Sequence, residues 1–450
     1  TYDFIHPPTV TNLASLPSGF SDYTGLSTFG LDSSNELYFC RMGGRGDILK
    51  LVHKTVTNLP PPQLSKTSIF TDLASLTPTN GIIPYDVNVS LWANGADKRR
   101  WIALPNDGSP YGTNEQVAFS PTGEWSFPQG TVFIKNFTIL TNENNPNSFR
   151  RLETRLLVLD TNSSAYGITY KWRSDQSDAD LLTNSFNETL SIQTASGTRT
   201  QNYYYPSPQD CLRCHNANAH FVLGLKTRQM NGNFTYPTTG RSDNQLRTWN
   251  HLGMFNPPLI ESNIPTYAQL NATNTTLPLS HRVRSYVDVN CAFCHRPGGV
   301  SQAMWDGRFD TALTNQGIVN GTVVSTLGIA GARVIRAGSI PQSIMRVRVN
   351  ALDTSAMPPL AKTVVDSNTV ALLDSWILSL TNAPLLENGA DTNGAYILAH
   401  GQPGMNYSLQ GTANFTNWPT LGNMFDQNLR YLTADMSNAP VRIYRLQLPR

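Results

Sequence analysis

The sequence predicts a multidomain α+β protein with a β-rich sandwich region, a helical region and a small C-terminal β-sandwich. The chain has 450 residues, which is enough for about three domains. Apolar and polar residues alternate between about 65 and 205 and again after about 386, as they do in β-strands. Between about 206 and 382, apolar residues recur at helical spacing instead.

The composition is that of a globular protein with few charges. Hydrophobic residues make up 39% of the chain and charged residues only 14%, against about 25% charged residues in average soluble proteins. This excludes disorder driven by charge. The net charge of +2 gives no indication of nucleic acid as a partner. No apolar run approaches the roughly 18 residues that a membrane span requires.

Residues 1–64 are predicted to be a β segment followed by a linker. Two short strands, Glu36–Cys40 and Asp47–Val52, flank the turn Gly43–Gly46. Three consecutive prolines, Pro60–Pro62, then mark the linker.

Residues 65–205 are predicted to form an antiparallel sandwich. Several strand-like stretches alternate between turn clusters, as in β-sandwiches. They include Thr131–Phe137, Arg151–Leu159 and Gly167–Arg173. The basic pairs Arg99–Arg100 and Arg150–Arg151 are expected to be solvated or to lie at the edge of this sandwich.

Residues 206–382 are predicted to contain amphipathic helices, and residues 386–450 to return to β structure. The helices are expected at Arg282–Asn290 and Asn368–Leu380, where apolar residues share one face. The strands expected after 386 are Ala395–Ala399, Asn406–Gln410 and Val441–Leu446.

Four of the five cysteines fall into two copies of one motif, Cys-x-x-Cys-His. This motif is typical of c-type haem attachment, in which two thiols form thioethers and the histidine ligates the iron. A Cys₄ zinc site or a pair of redox dithiols could also use such cysteines, but the repeated histidine favours haem. The sequence therefore predicts two covalently bound haem c groups in a cytochrome c-like region at 206–382. Their residues are Cys211, Cys214 and His215, and Cys291, Cys294 and His295. Cys40 is expected to be a buried or free thiol.

Met357 is the candidate sixth ligand of the second haem. It precedes two prolines, which stiffen the backbone, and a predicted closing helix follows. His/Met ligation tends to raise the reduction potential of a haem. Met357 could instead only fill the core, in which case Met345 or Met304 would be the ligand.

The sixth ligand of the first haem is less clearly indicated. His251 is the leading candidate, on a predicted helix that ends at Gly253. His220 is too close to His215 to reach the opposite face of the ring. Further candidates are Met230, Met254 and a ligand from another domain, such as His6, His53 or His400. A vacant or water-bound position is also compatible with the sequence.

Covalent haem attachment takes place outside the bacterial cytoplasm, so the motifs predict a periplasmic, cell-surface or secreted protein. The N-terminus has neither the basic nor the apolar region of a signal peptide, so the numbering is interpreted as that of a processed chain. Ten Asn-x-Ser/Thr sequons are compatible with export and with glycans, although chance alone would give about half of them.

Several strings give the chain a resemblance to a known family. It resembles secreted bacterial c-type cytochrome proteins whose longer members carry an N-terminal propeller similar to glucose/sorbosone dehydrogenases. The resemblance covers about 65–380 and implies export and covalent haem, but no substrate. Residues 27–52 resemble the last blade of such a propeller. The strings are Gly81–Asn88, Leu91–Trp101, Phe127–Phe137, Arg150–Val158, Cys211–Leu225, Tyr286–Gly299 and Met357–Pro359.

The leading hypothesis is an extracytoplasmic dihaem electron-transfer protein. It would exchange electrons with a redox partner protein, such as a dehydrogenase propeller. A second hypothesis is a haem enzyme with peroxidase- or oxygenase-like chemistry at the first haem. A third is a haem-bearing structural subunit of an oligomeric surface or filament assembly. An electron carrier is favoured over a catalyst.

Overall fold

A computed structural model of the protein describes most of the chain between residues 60 and 380 and parts of both ends. The predicted turn Gly43–Gly46 and the candidate ligands His6 and His53 lie outside the described residues. These are 26–31, 33, 37–41, 48–50, 60–160, 164–380, 385–391, 394–400, 406–413, 415–425, 429–432 and 443–448.

The N-terminal part contains a three-stranded antiparallel sheet. Its strands are β1 (Leu26–Leu31), β2 (Leu37–Arg41) and β3 (Ile48–Lys50), hydrogen-bonded in the order β1–β2–β3. Both strands predicted between 36 and 52 are confirmed, with ends shifted by one or two residues. The similarity to a propeller blade remains a prediction.

A six-stranded antiparallel sheet, in the order β12–β11–β10–β9–β7–β6, forms the centre of the fold. The three strands predicted between 131 and 173 are confirmed as β9, β10 and β11. The strands of this region are β4 (Phe70–Asp72), β5 (Thr77–Pro78), β6 (Ile82–Tyr85), β7 (Asp97–Ala103), β8 (Val117–Ala118), β9 (Val132–Leu140), β10 (Phe149–Leu159), β11 (Ala165–Trp172), β12 (Ala179–Leu182), β13 (Phe186–Thr194) and β14 (Gly197–Tyr205).

Neighbouring residues of each central strand point to opposite faces of this sheet, as the pleat requires. Ile102, Phe133 and Leu157 face one core, which continues into residues 222–264. The residue before each of them faces a second core, which includes Leu64 and Leu76 from the segment preceding the sheet. Helices and loops, together with the β13–β14 hairpin at one end, therefore cover the sheet where the sequence predicted a sandwich.

The predicted boundary near residue 205 does not separate two cores. Val222, Leu246 and Trp249 come from beyond that boundary, yet they pack in one cluster with Ile102 and Phe133 of the sheet. The segments predicted as 65–205 and 206–382 therefore share apolar packing. Sequence periodicity reports local structure and not which elements pack together, so it does not reveal this contact.

The helical region confirms both predicted amphipathic helices, now α4 and α6. They pack through Val283 and Val287 of α4 and Leu373, Trp376 and Ile377 of α6, at the three- and four-residue spacing of one helix face. The helices are α1 (Pro208–Cys214), α2 (Thr227–Met230), α3 (Gln245–His251), α4 (Leu279–Asn290), α5 (Ile344–Asn350) and α6 (Ser367–Ser379). The remaining short elements up to residue 380 are strands β15 (Asn233–Thr235), β16 (Ser242–Asn244) and β17 (Phe255–Asn256), and 3₁₀ turns at Leu64–Lys66, Ala217–Ala219, Glu261–Thr266 and Leu313–Asn315.

The C-terminal part forms two three-stranded antiparallel sheets, β18–β19–β22 and β21–β20–β23. Ala399 of one sheet and Tyr407 of the other are buried in a common cluster, so the predicted return to β structure is confirmed. The strands are β18 (Leu385–Asp391), β19 (Gly394–His400), β20 (Asn406–Thr412), β21 (Thr420–Phe425), β22 (Leu429–Leu432) and β23 (Ile443–Gln447). Every helix in the described part of the chain is too short or too polar to cross a lipid bilayer.

Candidate functional site

The first Cys-x-x-Cys-His motif lies on α1, whose start is fixed by a capping box. The Ser207 hydroxyl accepts a hydrogen bond from the Asp210 amide, and the Asp210 carboxylate accepts one from the Ser207 amide. Pro208 occupies the first helical position, where its missing N–H costs nothing. These interactions place the start of the helix three residues before Cys211, so that the thiols of Cys211 and Cys214 both lie on this two-turn helix.

Gly167 of β11 allows α1 to lie directly on the central sheet. A Cβ atom added to Gly167 would lie 2.6 Å from the Cys211 sulfur and 2.7 Å from the Cys211 Cβ atom. Real Cβ atoms do not approach other atoms this closely. Glycine within a strand often marks such a close approach of another backbone, and here it positions the first cysteine.

His215 follows α1 and is held in a defined tautomer. Its Nδ1 lies 2.6 Å from the carbonyl oxygen of Phe221. Because a carbonyl oxygen only accepts, Nδ1 must carry the hydrogen, which leaves the Nε2 lone pair free for a metal. The chain turns back through His220 (φ 53°) and Phe221 (φ 59°) to make this bond. Two successive non-glycine residues in the left-handed region are uncommon and often belong to functional sites.

The His215 imidazole is also kept neutral. Burial, with a smaller contribution from the charge of Lys135, lowers the pKa of His215 to about 3. A histidine must be neutral to bind a metal through nitrogen. Its tautomer and its protonation state therefore both suit metal ligation at neutral pH.

A cavity lies between α1 and the face of the central sheet that carries Phe133 and Leu157. Its empty volume, counted together with its opening to solvent, is about 1560 Å³. Cys211, Cys214 and His215 line it on one side. Its apolar wall includes Phe133, Phe137, Leu157, Val222, Phe293 and Leu360. The cavity offers an apolar environment beside the two thiols.

Basic residues also line this cavity, which the sequence did not lead us to expect. Arg100, Lys135 and Arg155 all face it from neighbouring strands. Arg100 is expected from the sequence to be solvated or to lie at the edge of the sandwich, but its side chain is only 5% exposed and lies on an inner strand of the sheet. The signal available in the sequence was the alternation in β9, which places Lys135 on the same face as Phe133 and Phe137.

The second motif begins at the end of α4, whose backbone leads directly into Cys291. Burial raises the pKa of the Cys291 thiol to about 12. The His295 ring stacks on Trp305, with ring centroids 3.9 Å apart and planes 16° from parallel. Burial, assisted by the charge of Arg348, lowers the pKa of His295 to about 4. This imidazole is neutral as well, but within the described chain its buried Nδ1 has no hydrogen-bond partner.

Met357 lies on a half-buried loop that is hydrogen-bonded to α5 through Arg348. Its amide donates a 3.0 Å hydrogen bond to the carbonyl of Arg348, the residue whose charge affects the pKa of His295. Met304 is 87% exposed, and Met345 is buried in the core with α6. Met357 as the sixth ligand stays a prediction, and the residues that follow it, Pro358 and Leu360, line the cavity of the first motif.

The two motifs are adjacent in space, although 76 residues separate Cys214 from Cys291. The side chain of Asn216 donates to the carbonyl of Phe293, 3.4 Å away. Burial, and then the neighbouring Cys294 thiol, raise the pKa of Cys214 to about 11. Nevertheless, the four thiols do not form a Cys₄ zinc geometry. Among the described residues, no group of three or more His, Cys, Asp or Glu side chains could hold a metal ion.

The structure does not bring His251 to the cavity of the first motif. Leu246 and Trp249 anchor α3 in the core, so that His251 at its end is exposed. Met230 and Met254 are fully buried in the same core, and His220 is exposed on its turn. None of these candidate ligands lines the cavity, and the side chain of His400 is outside what the structure describes.

A buried network of ion pairs connects the segments that lie next to the two motifs. The Asp288 carboxylate accepts from Lys226 at 2.6 Å and from Arg228 at 2.8 Å. Glu124 pairs with Arg296, the residue after the second motif, at 2.8 Å. Burial alone would raise the pKa of Asp288, but Lys226 and Arg228 bring it well below its usual value. The network fixes α4 against the segment that follows the first motif.

Comparison with models of protein families, with curated proteins and with solved structures gives no match to this chain. The functional assignment therefore rests on the motifs and on the geometry around them.

Proposed function

We propose that this protein is an extracytoplasmic electron-transfer protein with two covalently attached c-type haems. One observation carries the proposal. Directly after Cys211 and Cys214, the imidazole of His215 is held by a carbonyl through Nδ1, beside a mostly apolar cavity. A zinc site or a dithiol would not require this cavity or this histidine.

The residues of the first motif fit a haem in their chemistry and surroundings. Cys211 and Cys214 would form the thioethers, and Nε2 of His215 would ligate the iron. A bound haem supplies a centre that gains and loses one electron reversibly. The chain's own contribution is to orient the imidazole through the Phe221 carbonyl, and to exclude water with the apolar wall of the cavity.

The second motif would hold its haem through Cys291, Cys294 and His295, with Met357 as the proposed second axial ligand. Stacking on Trp305 orients the His295 ring. Because Asn216 next to the first motif contacts Phe293 within the second, the two centres would be close neighbours. This contact supports electron exchange between them within one chain.

The proposal includes a location and a partner. Covalent haem attachment takes place outside the bacterial cytoplasm, so the protein would be periplasmic, exposed at the cell surface or secreted. An electron-transfer protein requires a redox partner protein to deliver or remove electrons. A dehydrogenase propeller, as the family resemblance implies, is the partner that we propose.

One observation favours a second candidate, a peroxidase- or oxygenase-like haem enzyme at the first motif. Of the described residues that line the cavity, His215 is the only histidine, and none is a methionine. The first iron would then have a position available to an exogenous ligand. Carbon monoxide added to the reduced protein distinguishes the two candidates, since a six-coordinate electron carrier leaves its absorption spectrum unchanged.

The haem content of the full chain tests the main proposal. The protein is produced in a host that attaches haem outside its cytoplasm, and is analysed by pyridine haemochrome assay and intact mass. Two haems per chain are expected, with one remaining in C211A/C214A and one in C291A/C294A. Cys40→Ala is the matched control and should retain both. A chain mass without added haem would overturn the proposal.

A further inference from the structure

Three cations lie side by side on the cavity face of the central sheet. Lys135 of β9 is the register partner of Arg100 on β7 and of Arg155 on β10, and all three line the cavity. Residues directly opposite each other on adjacent strands lie close enough to interact, and like charges there are destabilising. We call Arg100, Lys135 and Arg155 the cation row.

Two members of the cation row are already paired with acidic groups. Arg100 binds Asp86 at 2.5 Å, and Nε of Arg155 donates to Glu153 at 2.8 Å. No described residue forms a hydrogen bond or an ion pair with the ammonium group of Lys135. Burial, and then the charges of Arg100 and Arg155, lower the pKa of Lys135 to about 7. The row therefore has one amine without an acidic partner, inside the cavity that the first motif lines.

The other lysines of the cavity wall are occupied. The ammonium of Lys98 donates to the carbonyl of Leu91, and that of Lys362 donates to the carbonyl of Ala351 at 2.8 Å. Burying an unpaired charge is costly unless an opposite charge accompanies it. The position of Lys135 in the middle of the row thus indicates that an anionic group belongs at this point.

We propose that the cation row binds the carboxylates of the prosthetic group attached at Cys211 and Cys214, with Lys135 as the direct partner. This inference rests on the proposed function. Haem carries two propionate carboxylates besides the vinyl groups that react with thiols, so a haem in this cavity brings the charge that the row lacks. Lys135 has three N–H donors for a carboxylate, and Arg100 and Arg155 add positive potential on both sides.

Lys135 could instead ligate the iron through its amine. A probe without iron distinguishes that role from binding of the carboxylates. The apo form of the full chain is titrated with iron-free protoporphyrin and with its dimethyl ester, and porphyrin fluorescence reports binding. A charge-assisted hydrogen bond is worth about 1.5–3 kcal/mol, so the wild type should prefer the diacid about tenfold or more. Lys135→Gln should reduce this preference about tenfold and Lys135→Arg should retain it.

Lys66→Gln is the matched control, because Lys66 is exposed and does not line the cavity. It should preserve the preference for the diacid. Equal affinity of the wild type for diacid and ester, or an undiminished preference in Lys135→Gln, would overturn the proposal. A Lys135→Gln protein that loses haem ligation while keeping this preference would identify Lys135 as an iron ligand instead.

A second measurement uses the mature protein, so that the proposal does not depend on folding of the apo chain. Haem with ¹³C-labelled propionate carboxyls is incorporated, and the isotope-sensitive bands are followed by redox-induced infrared difference spectroscopy. Lys135→Gln should shift these bands and Lys66→Gln should not. Unchanged bands in a haem-loaded Lys135→Gln protein refute the cation row but not the haem proposal. Diacid preference in a chain that never acquires haem refutes the haem proposal alone.

Discussion

Replacing Gly167 with alanine is expected to displace α1 from the central sheet and to reduce haem attachment at the first motif. The added Cβ atom would lie 2.6 Å from the Cys211 sulfur, whereas non-bonded carbon atoms pack best at about 3.5–4.0 Å. Strand β11 cannot yield easily, because it is hydrogen-bonded to β10 on one side and β12 on the other. The helix must therefore move by about 1 Å.

Overpacking of this kind typically costs about 1–3 kcal/mol. We expect the free energy of unfolding of Gly167→Ala to fall within that range in urea denaturation. Because the displaced atom is one of the two sulfurs that would form thioethers, single-haem chains should become the main species in intact mass spectra. The second motif, which follows α4, should keep its haem.

Gly112→Ala is the matched control, since its added Cβ would lie 3.6 Å from the Glu115 carboxylate, an ordinary contact. It should leave both stability and haem content unchanged. A Gly167→Ala protein with two haems and wild-type stability would refute the close packing of α1 on β11. Loss of haem from both motifs would indicate general misfolding instead.

Other predictions concern the buried charges and the axial ligands. Asp288→Asn should lower the free energy of unfolding by about 3–5 kcal/mol, because Lys226 and Arg228 remain buried without their partner; Asp243→Asn, in an exposed pair, should cost less than about 1 kcal/mol. The depressed pKa of Asp288 means that its stabilisation is present above the unfolded-state value of 3.8 and is lost as the pH falls further, so the wild type should lose more stability in acid than Asp288→Asn. Met357→Ala should allow carbon monoxide to bind the reduced second haem and should remove the higher of two potentials in a redox titration; an unchanged titration would exclude Met357 as a ligand. His251→Ala should leave the absorption spectrum and haem content unaltered, and loss of a ligand would contradict its exposed position.

Local features of the fold could be predicted from the sequence because they depend on neighbouring residues. The alternation in β9, β10 and β11 and the apolar face of α6 are local patterns, and the structure confirms these elements. The haem motifs are local as well, since their cysteines and histidine lie within five residues. The position of Met357 before two prolines could also be recognised, although no local rule gives its distance from His295.

The remaining features depend on strand register and on packing between distant segments. The cation row exists only because β9 pairs with β7 and β10 in one particular register; a shift of one residue would turn Lys135 to the opposite face. The contact between Asn216 and Phe293 joins segments that share no sequence pattern. The sequence makes His251 a candidate ligand through its residue type and its place on a predicted helix, whereas the anchoring of α3 by Leu246 and Trp249 decides where it points.

The surroundings of the two histidines differ in a way that bears on the direction of electron transfer under the proposed function. A hydrogen bond from Nδ1 makes an imidazole a more basic ligand, and His215 has such a bond to the Phe221 carbonyl. Within the described chain, the Nδ1 atom of His295 has none, and stacking on Trp305 orients its ring instead. A more basic ligand favours the oxidised iron, and a methionine ligand favours the reduced iron. The same chain would thus hold a lower-potential haem at the first motif beside a higher-potential haem at the second, and this difference would favour electron transfer from the first haem to the second.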